Sequence, residues 1–179
     1  MFFLETAVAG AFVIEPQRIQ DERGFFARTY SSAEFADQGL DDRVDQSSTS
    51  FNASAGTLRG MHYQAAPHGE AKLVRCTRGA IYDVAVDLRP DSPSYLRWFG
   101  LELTADDGRA LFVPEGCAHG FQTLVDASEV LYQISTPHVP TAARGVRWDD
   151  PVFGIEWPPA PPQGRTMSTR DAGYPDFAS

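Results

Sequence analysis

From Lys72 onward, apolar and polar residues alternate almost position by position. The run KLVRCTRGAIYDVAVDLR (Lys72 to Arg89) reads as two strands broken at Arg78-Gly79, because a period of two marks a half-buried strand. YLRWFGLELTADDGRALFVPEG predicts strand, an ADDG turn, then strand, and GFQTLVDASEVLYQIS repeats the pattern with VDAS as the turn. Prolines fall at the edges of these runs (Pro90, Pro93, Pro114, Pro137, Pro140), where a missing N–H does least harm to a ladder. One helix is expected near the start: Ser31 and Glu34 have capping-box spacing ahead of Phe35, and Gly39 can end it. The tail WPPAPPQGRTMSTRDAGYPD is proline-rich and reads as extended.

Many short strands at regular spacing, without internal repeats, predict an all-β sandwich or closed barrel rather than an α/β fold. The expected form is a double-stranded β-helix, that is, a jelly roll, with a short N-terminal helix and an extended C-terminal arm. Residues 1–179 form one domain: 1–50 as N-terminal strands and helix, 51–140 as barrel core, 141–179 as arm. Inward side chains alternate along such strands, and the mouth of the barrel is wide enough for a ligand.

Composition narrows the function. A chain of 179 residues can bury about 70% of its unfolded surface and needs no disulfide staples. Cys76 and Cys117 lie far apart and form no CxxC pair, so they read as reduced thiols of a cytoplasmic protein. The first residues, MFFLETAVAGAFVIEP, lack a basic stretch and place Glu5 among apolar residues, unlike a signal peptide. No apolar run is long enough to span a bilayer. A net charge of −9 argues against nucleic acid or an anionic membrane as partner. It leaves room for a small anionic ligand at a local cationic cluster. Arg59, Lys72, Arg75 and Arg78 form one such cluster beside Glu70, and Arg23 and Arg28 form a smaller one.

The segment LRGMHYQAAPHGEAKLVRC (Leu58 to Cys76) concentrates the chemistry, since it holds His62, Arg59 and the only lysine of the chain, Lys72. Two readings compete. The stretch GRALFVPEGCAH (Gly108 to His119) matches a cupin signature: glycine, five residues, Pro-x-Gly, two residues, histidine. The partner signature fits at Gly56 and His62, with Glu70 downstream, but Gln64 stands where a second histidine belongs. His62, His119 and Glu70 could still make a three-ligand metal site, although an amide is a poor ligand for the transition metals such sites hold. The other reading moves protons. Neutral imidazole is available at physiological pH as a base. Proton abstraction next to a carbonyl needs a base, a cradle for the enolate oxygen and an acid. His62, Arg59 with Lys72, and Tyr132 supply those three parts if all face one cavity. A positioned base contributes roughly 10²–10⁴ in rate and an oxyanion donor roughly 10²–10³.

Six collinear segments sharpen the second reading: DERGFFARTY, GTLRGMHYQ, KLVRCTRGAIYDVAVDLR, PEGCAHGFQTL, EVLYQIS and WDDPVFGIEWP. Together the chain resembles the dTDP-4-dehydrorhamnose 3,5-epimerase family, whose members are metal-free cupin barrels. They invert C3 and C5 of nucleotide-linked 4-keto-6-deoxy sugars through enolates. The resemblance implies His62 as base, Lys72 facing the ketone oxygen and Tyr132 as acid. It implies Asp171 as support for His62, with Asp83 a second matched carboxylate near the same histidine. It further implies that Arg59, His119, Gln46 and His138 contact substrate. Arg23 and Arg28 would meet the nucleotide, Arg23 from a neighbouring subunit of a homodimer built by exchange of N-terminal strands. No cofactor and no metal are implied. Phe25 and Phe26 are expected in core or dimer packing, and Arg75 and Arg78 on a solvated face or turn.

Three positions depart from the family pattern. Arg28 stands where glutamate is usual, which exchanges an acceptor for a donor near the nucleotide. The segment DQSSTSFNASAG replaces a QDNHS run, and His138 replaces an aromatic residue near the sugar. They leave open a C3-only epimerase or keto-sugar isomerase on another nucleotide sugar. From other classes, a metal-dependent cupin oxygenase and a catalytically silent nucleotide-sugar binder also remain.

Overall fold

In the computed structural model, which describes residues 1–177, the alternating runs become strands of two facing sheets. The chain runs through β1 (Phe2–Glu5), β2 (Phe12–Glu15), β3 (Arg18–Asp21), β4 (Gly24–Ala27) and helix α1 (Ser32–Asp37). It continues through β5 (Gln46–Asn52), β6 (Leu58–Gln64), β7 (Lys72–Arg78), β8 (Ala80–Asp87), β9 (Trp98–Thr104) and β10 (Ala110–Val113). The last elements are β11 (Cys117–Thr123), β12 (Ser128–Ile134), β13 (Ala143–Gly145) and the short helix α2 (Thr169–Ala172).

One sheet has the order β1-β2-β10-β7-β12-β5 and the other β13-β6-β11-β8-β9, while β3 and β4 form a separate hairpin. The turns expected from sequence do occur, but they close no hairpins. The turn at Gly79, the ADDG turn and the VDAS turn each carry the chain from one sheet to the other. That alternation makes the jelly roll. Gly79 has φ +76, and a Cβ there would lie 2.6 Å from the Ser128 hydroxyl, so the crossing needs glycine.

The core between the sheets mixes both: Val74, Cys76 and Val130 from one meet Ile81, Ala85 and Phe121 from the other. The outward residues of the five-stranded sheet are also apolar. Met61, Val84, Val86 and Ala118 are covered by Val146, Phe153 and the partly buried Ile155 and Trp157. The C-terminal arm is therefore more than an extended tail. It blankets that face, turns once as α2, and runs beside β6 where Leu58 N–H donates to Thr166 O at 2.9 Å. A sheet with two apolar faces requires such a cover.

The N-terminal part departs from expectation in two ways. Ser31 does sit at the N-cap of α1, but its side chain makes no cap bond. Glu34 reaches instead to the N-terminal ammonium at 2.7 Å and to Arg28 at 3.0 Å, and charged partners outbid a neutral amide. Phe25 and Phe26 are not core residues of the chain, since both stand exposed on the β3–β4 hairpin with Ile19.

Candidate active site

A cavity of about 340 Å³ opens between the sheets. Strands β5, β7 and β12 give one wall, through Gln46, Ser48, Ser50, Lys72 and Tyr132; β6 and β11 give the other, through Arg59, His62 and His119. Arg59 and His62 are three residues apart, so a regular strand would turn them to opposite faces. The register shows how they come to share one: His62 faces His119 and Arg59 faces Phe121, three steps on β6 against two on β11. The extra residue is a β-bulge at the cavity wall. It needs glycine on both strands. Gly60 has φ +126, and a Cβ there would lie 2.5 Å from the Gly120 Cα.

His62 Nε2 lies 2.8 Å from Asp171 Oδ1, and the Gly60 N–H donates to the other carboxylate oxygen at 3.2 Å. Asp171 is brought there by α2, whose N-cap Ser168 accepts from the Asp171 N–H at 3.0 Å. Burial alone would raise the Asp171 carboxyl. The hydrogen bond and charge of His62, the Gly60 amide and Ser168 outweigh it and hold the group below the ordinary carboxylate value. An ionised carboxylate only accepts, so in the neutral ring Nε2 carries the proton and Nδ1 offers the lone pair. The His62 side chain is 40% exposed, which leaves it accessible from the cavity. Tyr174 packs edge-on against its ring, with centroids 6.1 Å apart.

Asp83 does not support His62. It lies 2.7 Å from His119 Nε2, and both side chains are buried. Strand pairing brings the two together, because Asp83 faces Phe121 in the ladder between β8 and β11, two residues from His119 and on the same inward face. His119 packs in turn against Tyr132, with ring centroids 5.9 Å apart. Burial pushes the Tyr132 phenol well above its ordinary value; Asp83 adds to the shift and Arg59 offsets part of it. The phenol thus keeps its proton at neutral pH, as an acid must.

The Lys72 ammonium donates to the His62 carbonyl at 3.1 Å and pairs with Glu70 at 2.9 Å. Arg59 Nε donates to Asn52 Oδ1 at 2.8 Å. Gln46 and His138 line the same cavity, and the Gln46 amide donates to Thr136 O at 2.9 Å. Gln64 is consumed by the backbone: its amide donates to His68 O and Pro137 O, and its oxygen accepts from Val139 N–H. Among the described residues, no three His, Cys, Asp or Glu side chains gather as a metal cluster. Burial pushes the thiols up, Cys76 to about 11 and Cys117 to about 12, so neither offers a thiolate.

Two of the expected positions lie elsewhere on the chain. Arg23 is held by Asp21 at the turn of the β3–β4 hairpin, and Arg28 is held by Glu34. Neither lines the cavity of its own chain. Arg75 is no solvated residue: it is half-buried, donates to Thr29 O at 3.0 Å, and burial lowers its guanidinium. Sequence reasoning missed Arg144 and Arg170, two further cations on the cavity, and Asn52, which aims Arg59. Arg170 stands beside Asp171 in TMSTRD, so that one motif carries both a carboxylate and a cation to the site.

Known proteins share both the sequence and this architecture. The family model for dTDP-4-dehydrorhamnose 3,5-epimerase matches residues 5–179. An enzyme of that name from Methanothermobacter thermautotrophicus is 45% identical over 157 residues, 87% of this chain and 83% of its own. The crystal structure of the Elizabethkingia anophelis enzyme superposes with a TM-score of 0.95 at 34% identity, covering 99% of this chain and 96% of that one. The Legionella pneumophila dTDP-6-deoxy-D-glucose-3,5-epimerase, solved in complex with dTDP-4-keto-L-rhamnose, superposes at 0.88 with 29% identity over 99% of each chain. With a match that spans nearly every residue and a jelly roll that superposes from end to end, the chain belongs to the dTDP-4-dehydrorhamnose 3,5-epimerase family.

Proposed function

We propose that the protein epimerises C3 and C5 of a dTDP-linked 4-keto-6-deoxyhexose. The observation that carries this reading is one cavity walled by a carboxylate-bound histidine, an ammonium tied to that histidine's own carbonyl, and a half-buried phenol. His62 Nδ1 takes the proton from the carbon next to the C4 ketone. The C–H electrons form a carbon–carbon double bond, and the carbonyl π electrons move onto oxygen. Lys72 donates to that oxyanion as charge develops, in a site where preorganised donors act strongly. Asp171 stabilises the imidazolium and holds its orientation. Tyr132 returns a proton from the opposite face, which inverts the carbon. The enolate electrons return to the ketone as the carbon takes that proton; solvent then removes the proton from the His62 imidazolium and reprotonates the Tyr132 phenolate, and the same sequence serves the second carbon. Arg59, His119, Gln46 and His138 hold the sugar and diphosphate, with Arg144 and Arg170 adding positive charge.

The active form in this reading is a homodimer. Its support is the β3–β4 hairpin, which carries exposed Ile19, Phe25 and Phe26 and presents Arg23 away from its own cavity. Such a hairpin can bring Arg23, and with it Arg28, to the nucleotide end of a neighbour's cavity. No described helix is long and apolar enough to cross a membrane. A cytoplasmic setting fits the free, buried cysteines.

Incubation with dTDP-4-keto-6-deoxyglucose in D₂O tests the assignment. Solvent deuterium is expected at both C3 and C5; deuterium at C3 alone would reduce the activity to a single-carbon epimerase. The variant His62→Ala is expected to lose about 10³-fold or more in turnover, on the scale of a removed base, while dTDP affinity changes little. Retention of most activity would remove His62 as the base.

A further inference from the structure

Lysine is a flexible point charge, with four methylenes between backbone and ammonium. As the donor to a developing oxyanion it must nevertheless be held, because about 1 Å of misplacement can cost on the order of 10²-fold in rate. An ammonium has three N–H donors. The Lys72 ammonium donates to the His62 carbonyl at 3.1 Å, and Glu70 Oε1 stands 2.9 Å from the same nitrogen as its ion-pair partner. Lys72 also lines the cavity. Both side chains of the pair are nearly buried, at 9% and 10% exposure.

Stability does not explain this arrangement, since desolvation of a buried ion pair offsets most of its attraction. Charge does not explain it either. A carboxylate in the wall of a site for an anionic ligand weakens the positive field that the ligand would feel. Geometry does explain it. We propose that Glu70 is a positioning residue of the reaction: its carboxylate, as ion-pair partner, and the His62 carbonyl, as acceptor, hold the Lys72 ammonium against the cavity in register with the base, so that it meets the ketone oxygen. This rests on the reading of Lys72 as the oxyanion donor.

Three substitutions separate position from charge. Glu70→Gln keeps an acceptor oxygen at the same reach without the charge. Glu70→Asp keeps the charge but withdraws it by one methylene. Glu70→Ala removes both. The expected order of kcat is wild type, then Glu70→Gln within a few-fold, then Glu70→Asp and Glu70→Ala about ten- to a hundred-fold lower. KM for the nucleotide sugar should stay near wild type in Glu70→Asp and fall modestly in Glu70→Gln and Glu70→Ala, which remove a negative charge from the wall, so that the loss appears in kcat and not as weaker binding.

A second readout needs no substrate. Lys72 is the only lysine, so ¹⁵N-lysine labelling gives one Nζ signal. Hydrogen bonding slows its exchange with solvent. The ammonium protons should be visible in wild type and Glu70→Gln and lost in Glu70→Asp and Glu70→Ala. If Glu70→Asp outperforms Glu70→Gln, or if all variants equal wild type in rate and in signal, the positioning role is overturned. If wild type fails to turn over the sugar, the functional assignment falls, and the order of the Nζ signals alone decides whether Glu70 places the ammonium.

Discussion

Tyr132 and His62 illustrate how little a residue's type says until its surroundings are known. A tyrosine on an alternating strand is an ordinary barrel aromatic. Here β12 turns it inward beside His119, and burial keeps its phenol protonated. A proton held this firmly moves only to a strong base, and the carbon of an enolate is one. Tyr132→Phe should therefore uncouple the two halves of the reaction. Exchange of substrate hydrogen with D₂O through His62 should persist, while product inversion falls by about 10²-fold or more, the scale of a lost general acid. NMR of substrate recovered from D₂O reads both quantities, and loss of exchange and inversion in parallel would place Tyr132 in binding instead. The segment LRGMHYQAAPHGEAK made His62, Arg59 and Lys72 legible from spacing and type alone. The partner of Asp83 was not legible, because which inward histidine meets an inward carboxylate depends on the pairing of β8 with β11, a fact of register rather than of local sequence.

At the level of the elements, one irregularity does more for the site than any regular strand. The bulge at Gly60 puts Arg59 and His62 on one face, and its backbone N–H reaches Asp171. A side chain on Gly60 would meet the Gly120 Cα and the His119 carbonyl, and the φ of +126 is one that L-residues avoid. Gly60→Ala should cost more than about 2 kcal/mol of stability, the range of an overpacked core plus backbone strain. It should lower kcat further than the fraction unfolded explains. Urea unfolding and turnover on the same sample check this, and a variant with wild-type kcat would mean that the bulge is not what aligns the two side chains. Strand identity was readable because alternation is a local signal. The destination of each turn was not. An ADDG or VDAS turn looks like a hairpin turn, and only the two-sheeted core, which rewards a change of sheet at every crossing, decides against it. The role of the arm is hidden from local sequence for a related reason. Its prolines suggest an extended tail, whereas its contribution is set by what it covers, the apolar outer face at Met61, Val84 and Val86.

Across the whole molecule, a buried carboxylate outside the cavity locks the chain start to the sheets. Asp87 is fully buried and accepts from Arg89, Ser92 and Ser94. Two of those partners also grip the N-terminal segment: Arg89 donates to Ala9 O at 2.6 Å, and Ser94 accepts from the Ala9 N–H at 2.8 Å. One charge thus ties β8, the connection to β9 and the chain start. Burial alone would raise the Asp87 carboxyl, but Arg89 and the two serines outweigh it and bring it from 3.8 down to about 2. Because the folded value is the lower one, the unfolded chain takes up the proton first. The stabilisation is complete above about pH 4 and is lost as pH falls toward 2. The shift corresponds to roughly 1–2 kcal/mol once the partial exposure of Arg89 is allowed for. Asp87→Asn should therefore unfold at lower urea than wild type at pH 7, and the gap between the two should narrow steadily between pH 4 and pH 2. A gap that stays constant across that window would show that Asp87 acts by shape and hydrogen bonding rather than by charge. Activity per folded molecule should be unchanged at pH 7, because none of these groups lines the cavity.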